Sequence, residues 1–135
     1  MVQSKTYIAL DVGEKRIGVA RGDSSIRIAV PQTTIDVDGT ELAQITHLVE
    51  REHAAAVIVG YPRNQSGMAT AQTAYVERFA EQLVSLVPEI IFQDESLTSV
   101  LAEQQLRAHG KSYTRGDIDA LAAAIILQDY LENRL

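Results

Sequence analysis

The chain has 135 residues, enough for one domain with a real core and too few for two nucleotide-clasping lobes. Its 46% hydrophobic and 22% charged content is that of an ordinary soluble globular protein, and the lack of cysteine excludes disulfides, zinc–thiolate sites and thiol catalysis. The net charge of −6 argues against gripping nucleic acid through a basic surface alone. It leaves room for a protein that gathers carboxylates around divalent ions, because the ions offset the local excess. No apolar run approaches the roughly 20 residues of a membrane helix. The opening residues MVQSK lead straight into an apolar stretch without a signal-peptide pattern, so a cytoplasmic location is expected.

Taken in order, Tyr7 to Leu10 is apolar and ends on one carboxylate, Asp11; Gly13 to Arg16 reads as a tight turn, and Ile17 opens an antiparallel return strand. Arg21 to Ser25 reads as a turn and Ile26 to Val30 as a third short strand stopped by Pro31. Asp38 and Glu41 have helix-start spacing, and Leu42, Ile45, Leu48 and Val49 mark one face of a first helix ending near His53. Ala54 to Gly60 is a continuous apolar run, as expected of a central strand covered on both faces. The polar segment Tyr61 to Gly67 predicts a loop. A long helix follows, with Ala71, Tyr75, Phe79, Leu83 and Leu86 as its stripe, and stops at Pro88. Glu89 to Phe92 begins a strand that ends in Asp94 and Glu95. Thr98 to about His109 predicts a further helix capped by Gly110, and a last helix starts near Asp117.

Three strands in an antiparallel meander, then alternating helices and strands, predict an α/β fold with a mixed sheet flanked by helices, formed by residues 1–135 as a single domain. Right-handed crossovers would bring the later strands beside the first, aligning the ends that carry Asp11, Gly60 and Glu95. Ligands of open α/β sheets bind at such carboxyl ends.

A carboxylate at the end of a buried strand is costly unless something compensates it. Asp11 can be a turn residue bonded to its own backbone. Its Asp-x-Gly context, with Gly18 beyond, also resembles the first phosphate loop of the actin and sugar-kinase superfamily, against which the chain length weighs. Steps of three and four residues from Asp119 reach Ala122, Ala123, Ile126 and Tyr130, so this acid heads an apolar stripe and points inward. Asp117 sits where a helix N-cap is expected. Asp94 and Glu95 are strand neighbours facing opposite ways, so one of the two can join Asp11. Three such carboxylates would suit Mg²⁺ or Mn²⁺, in a two-metal phosphodiesterase arrangement with ions roughly 3.5–4 Å apart.

In that order and spacing, the segments from Asp11 to Ala20 (DVGEKRIGVA), Val59 to Asn64 (VGYPRN), Asp94 to Thr98 (DESLT) and Asp119 to Ala123 (DALAA) resemble the YqgF or RuvX family over nearly the whole chain. These are Holliday-junction-resolvase-like proteins described as nucleases that mature the 5′ end of pre-16S ribosomal RNA. The resemblance implies an RNase H-like fold with a five-stranded mixed sheet, and it selects Asp11, Glu95 and Asp119 as the catalytic and metal-binding triad. Two departures stand out. Ser96 replaces an arginine common in relatives, and Tyr61-Pro62-Arg63-Asn64 replaces a Leu-Pro-Leu-Asn loop, with Arg63 available to restore the lost charge.

Lys15 and Arg16, just after Asp11, and Arg63 and Asn64, before the long helix, are candidates for holding substrate phosphates. Arg107, Lys111 and Arg115, with Tyr113 as a stacking ring, form a candidate strand-tracking loop from Arg107 to Gly116. His47, His53 and His109 read as surface residues. The expected activity is metal-dependent hydrolysis of structured nucleic acid, pre-rRNA before a DNA junction, by a monomer or weak homodimer. The alternatives are a dimeric junction resolvase on DNA, a non-catalytic nucleic-acid or ribosome-associated module, and a phosphate-loop ATP binder.

Overall fold

A computed structural model of the protein describes residues 3–62, 68–95 and 98–135. The elements are β1 (Thr6–Val12), β2 (Arg16–Asp23), β3 (Ala29–Asp36), α1 (Glu41–Arg51), β4 (Ala54–Pro62), α2 (Ala71–Leu83), β5 (Ile90–Glu95), α3 (Thr98–Ala108) and α4 (Arg115–Asn133). The five strands form one sheet in the order β3-β2-β1-β4-β5. β1–β2 and β2–β3 pair antiparallel, whereas β1–β4 and β4–β5 are parallel. The carboxyl ends of β1, β4 and β5 therefore lie along one edge. No helix among the described residues is long and apolar enough to cross a membrane.

Strand alternation gives the sheet two unlike faces. One presents Ile8, Leu10, Val12, Ile17, Val19, Val57 and Val59 to Ile45, Leu48 and Val49 of α1 and to Val76, Phe79 and Leu83 of α2. The other presents Ala9, Ala20, Ala56 and Ile58 to Ala123, Ile126, Leu127 and Tyr130 of α4. Large aliphatic residues, most of them β-branched, thus fill the α1–α2 side. On the α4 side the alanines Ala9, Ala20 and Ala56 let that helix lie close to the strands.

Several elements depart from the expected ones. Pro31 does not stop β3 but lies within it, because β3 is an edge strand whose outer amides need no partner and whose register shifts opposite Val19 and Ala20. β2 runs on to Asp23, whose Oδ1 accepts from the amides of Ser25 (3.1 Å) and Ile26 (2.7 Å) to make the turn. The buried stripe of α2 is Thr73, Val76, Phe79, Ala80 and Leu83, with Ala71 and Leu86 exposed. Gly13 keeps an ordinary backbone conformation; its role is room, since a Cβ there would lie 2.7 Å from the Arg16 carbonyl that its own amide bonds. Gly110 does have a positive φ, 69°, as its place after α3 predicts.

Candidate active site

Asp11 lies across β1–β2 from Gly18, so both face α4. Gly18 carries nothing on that face, and the α4 backbone at Asp119 and Ala120 settles directly onto it. A Cβ at Gly18 would run into the Asp119 carbonyl and lie 2.9 Å from the Ala120 amide nitrogen. This contact sets Asp119 beside Asp11. On the other flank, Leu10 is paired with Val59, so the next residue of β4 is Gly60. A Cβ there would lie 2.6 Å from Glu95 Oε2 and 2.7 Å from Ile126 Cδ1. A glycine on each side of Asp11 thus clears the space into which Asp119 and Glu95 are brought.

The start of α4 is fixed independently of this packing. Thr114 is its N-cap and accepts from the Asp117 amide at 3.1 Å, while Asp117 accepts from the Thr114 amide at 2.8 Å. Asp117 therefore completes a capping box at the third helical position instead of being the cap itself. Thr34 Oγ1 of β3 donates to the Gly116 carbonyl at 2.6 Å, tying the first turn to the sheet.

The electrostatics follow from this crowding. Burial pushes the Asp11 carboxyl up to about 8, and the neighbouring Glu95 and Asp119 charges push the same way. Glu95 is also raised by burial, against which a 3.4 Å hydrogen bond from the Thr98 hydroxyl acts. Among the described residues Asp119 meets one guanidinium: Arg16 Nε lies 2.7 Å from Asp119 Oδ2, with the two side chains only 31% and 20% exposed. Among the described residues no three acidic or histidine side chains converge closely enough, as they stand, to grip an ion. The donor set nevertheless suits a hard divalent cation, being oxygen ligands from three carboxylates, one of them paired with Arg16.

The other predicted residues are placed unevenly. Arg16, Tyr113 and Arg115 line one open cavity of about 450 Å³ together with Asp119, Ser99 and Glu103. Arg107 is in the last turn of α3 and Arg115 opens α4, so the loop expected from Arg107 to Gly116 is confined to 109–114. The Tyr113 hydroxyl is committed, accepting from Arg107 Nε at 3.2 Å and donating to Glu103 Oε2 at 3.0 Å. Lys15 and Lys111 are exposed on their turns, outside that cavity. Arg63, Asn64 and Ser96 lie outside the described residues. Asp94 is exposed, on the opposite face from Glu95, and the three histidines are exposed. Sequence reasoning missed the spacer glycines Gly18 and Gly60. Their signal was a glycine level with, or one step beyond, the strand position of an acid.

An antiparallel β1–β2–β3 meander joined by β1 to parallel β4 and β5, with α4 closing over the acidic edge, defines an RNase H-like fold. The solved RuvC of T. thermophilus in complex with a Holliday junction superposes with a TM-score of 0.57, at 18% identity, over 96% of this chain and 95% of that one. The chain belongs to the RuvX family, whose model, described as Holliday junction resolvase, matches residues 5–133. Relatives named "Putative pre-16S rRNA nuclease" include one from Chloroflexus aurantiacus, 47% identical over 98% of this chain and 90% of its own. One from Chloroflexus aggregans is 44% identical over 98% and 97%, and one from Synechocystis sp. is 41% identical over 99% and 91%.

Proposed function

We propose that this protein is an endonuclease that hydrolyses phosphodiesters of structured RNA and takes part in maturing the 5′ end of pre-16S ribosomal RNA. The observation that carries the reading is the crowding of Asp11, Glu95 and Asp119 at the carboxyl edge of the sheet, which leaves Asp11 short of compensation. The names of the relatives supply the substrate class.

In this reading Asp11, Glu95 and Asp119 hold Mg²⁺ or Mn²⁺, which when bound supplies an activated water and stabilises the departing oxygen. Asp11, fixed on the central strand, is the anchor. Glu95 approaches it from β5, on the far side of β4, and Asp119 from the helix above. Arg16 and Arg115 receive flanking phosphates in the cavity beside Asp119, and the Glu103–Tyr113–Arg107 chain stiffens its far wall. Water attacks directly, so no side chain forms a covalent intermediate.

The deciding experiment offers a 5′-extended 16S precursor and a four-way DNA junction to the protein and to Asp11→Asn, with Mg²⁺ or Mn²⁺. Precursor cleavage that disappears in the variant supports the reading. Cleavage of the junction alone would replace it with a DNA resolvase, and binding without cleavage of either would end the enzyme claim.

A further inference from the structure

The closest charged contact at the site, Arg16 to Asp119, engages an acid assigned above to the cation. We infer that Arg16 is an exchangeable partner: it holds Asp119 while the cation is absent and passes to a substrate phosphate when the cation takes the carboxylate. This rests on the metal-nuclease reading and adds to it an order of assembly, in which cation loading creates a phosphate-binding group.

The geometry favours exchange over a permanent strut. Arg16 is the first residue of β2, on the turn that follows Asp11, and its carbonyl accepts from the Gly13 amide at 3.0 Å, so its backbone is fixed while its side chain reaches across to α4. The Nε–Oδ2 bond at 2.7 Å is the one polar side-chain contact recorded for either residue among those described. Glu52, by comparison, is approached by both Arg21 and Arg51. Asp119 needs no arginine to stay in place, because the Thr114–Asp117 capping box, the Thr34–Gly116 bond and the contact on Gly18 already fix its turn. Arg16 also lines the open cavity shared with Arg115 and Tyr113, so a phosphate there is within its side chain's range.

Charge is conserved at each step. With no cation, the guanidinium offsets one of three crowded acids. With the cation on Asp119, a guanidinium left beside it would face a like charge, and a phosphate relieves that repulsion. Metal and nucleic acid should therefore each strengthen the other's binding through this residue.

The test is ¹⁵N-edited NMR of arginine Nε–H groups in the full chain. Without cation, Arg16 should give a protected, downfield-shifted signal, assigned by its loss in Arg16→Lys and its displacement in Asp119→Asn. Saturating Mg²⁺, with saturation established separately by the rise in melting temperature, should abolish that protection, and a short non-cleavable oligonucleotide should restore a shifted signal. In parallel, Arg16→Ala should bind Mg²⁺ about three- to tenfold more tightly than the parent, whereas Arg115→Ala, which removes an equal charge from the same cavity, should change it less than twofold. An Arg16 signal that keeps its protection at saturating Mg²⁺ overturns the exchange, as do equal effects in the two alanine variants. No Mg²⁺-dependent melting shift at all would overturn the metal reading itself.

Discussion

Gly18→Ala is the sharpest test of how the acidic site is assembled. The added methyl meets backbone, the Asp119 carbonyl and the Ala120 nitrogen at 2.9 Å, where real Cβ contacts essentially never fall below 3.0 Å. No rotamer change relieves this, so the start of α4 must retreat by about 1 Å, at the 1–3 kcal/mol typical of an overpacked interior. For a chain of this size that is a loss of roughly 4–12 °C in melting temperature. A displacement of about 1 Å at a reacting centre can cost on the order of 100-fold in rate. The assay is precursor-RNA cleavage at saturating Mg²⁺, read beside a thermal melt and a far-ultraviolet circular dichroism spectrum. Gly39→Ala is the control: its Cβ would meet nothing within 4 Å, and its positive φ of 101° confines the effect to local strain. A Gly18→Ala protein with parental melting temperature and parental rate would refute the close seating of α4, and with it the placement of Asp119.

Gly60→Ala should behave differently, because its methyl meets the ends of the Glu95 and Ile126 side chains, which can swing away. We expect a stability loss under about 1 kcal/mol with a rate loss of at least tenfold, a split visible by comparing melts with turnover. Asp11 has a raised folded pKa, so its ionisation opposes folding: there is no penalty below about pH 4, where folded and unfolded forms are both protonated, and the penalty grows as pH rises toward 8. Metal-free protein should therefore lose melting temperature between pH 5 and 8. Asp11→Asn should melt higher and with a flatter profile, and a parent profile that rises with pH would contradict the burial argument. Thr114→Ala removes the N-cap of α4 and should cost about 1 kcal/mol in denaturant unfolding while lowering the cleavage rate, since the same turn carries Asp119.

The parts of this structure readable from sequence are those with a periodic signature. Asp119 could be placed inward because Ala122, Ala123, Ile126 and Tyr130 repeat behind it, and all four are buried. The sheet edge with Asp11 and Glu95 followed from the alternation of helices and strands. The stripe of α2 is legible in part: Phe79 and Leu83 are buried and Tyr75 packs against the same core, but Ala71 and Leu86 are exposed, and the buried Thr73 is not apolar enough to count in a pattern. Pro31 reads as a terminator in the sequence because sequence does not say which strand is at an edge. The Arg107 to Gly116 segment reads as a loop because charge and glycine dominate it; its middle, 109–114, is a connection, while its two ends belong to α3 and α4. The Arg16–Asp119 pair is 103 residues apart and belongs to no local pattern. The small-residue face of Ala9, Gly18, Ala20, Ala56 and Gly60 was present in the sequence, but its meaning depends on knowing that α4 lies over it.

The separation of Arg16 and Asp119 also bears on synthesis. β1 and β2 emerge early from the ribosome, whereas the acid that faces them is carried by the last helix of the fold, and contacts this distant in sequence form late. A growing chain therefore displays Asp11 for most of its elongation without the partner that would complete the cluster. If the RNA this enzyme cuts belongs to ribosomes under construction, the proposed role of Asp119 would make an unfinished copy harmless to them, with cutting competence arriving only once α4 has been made and seated.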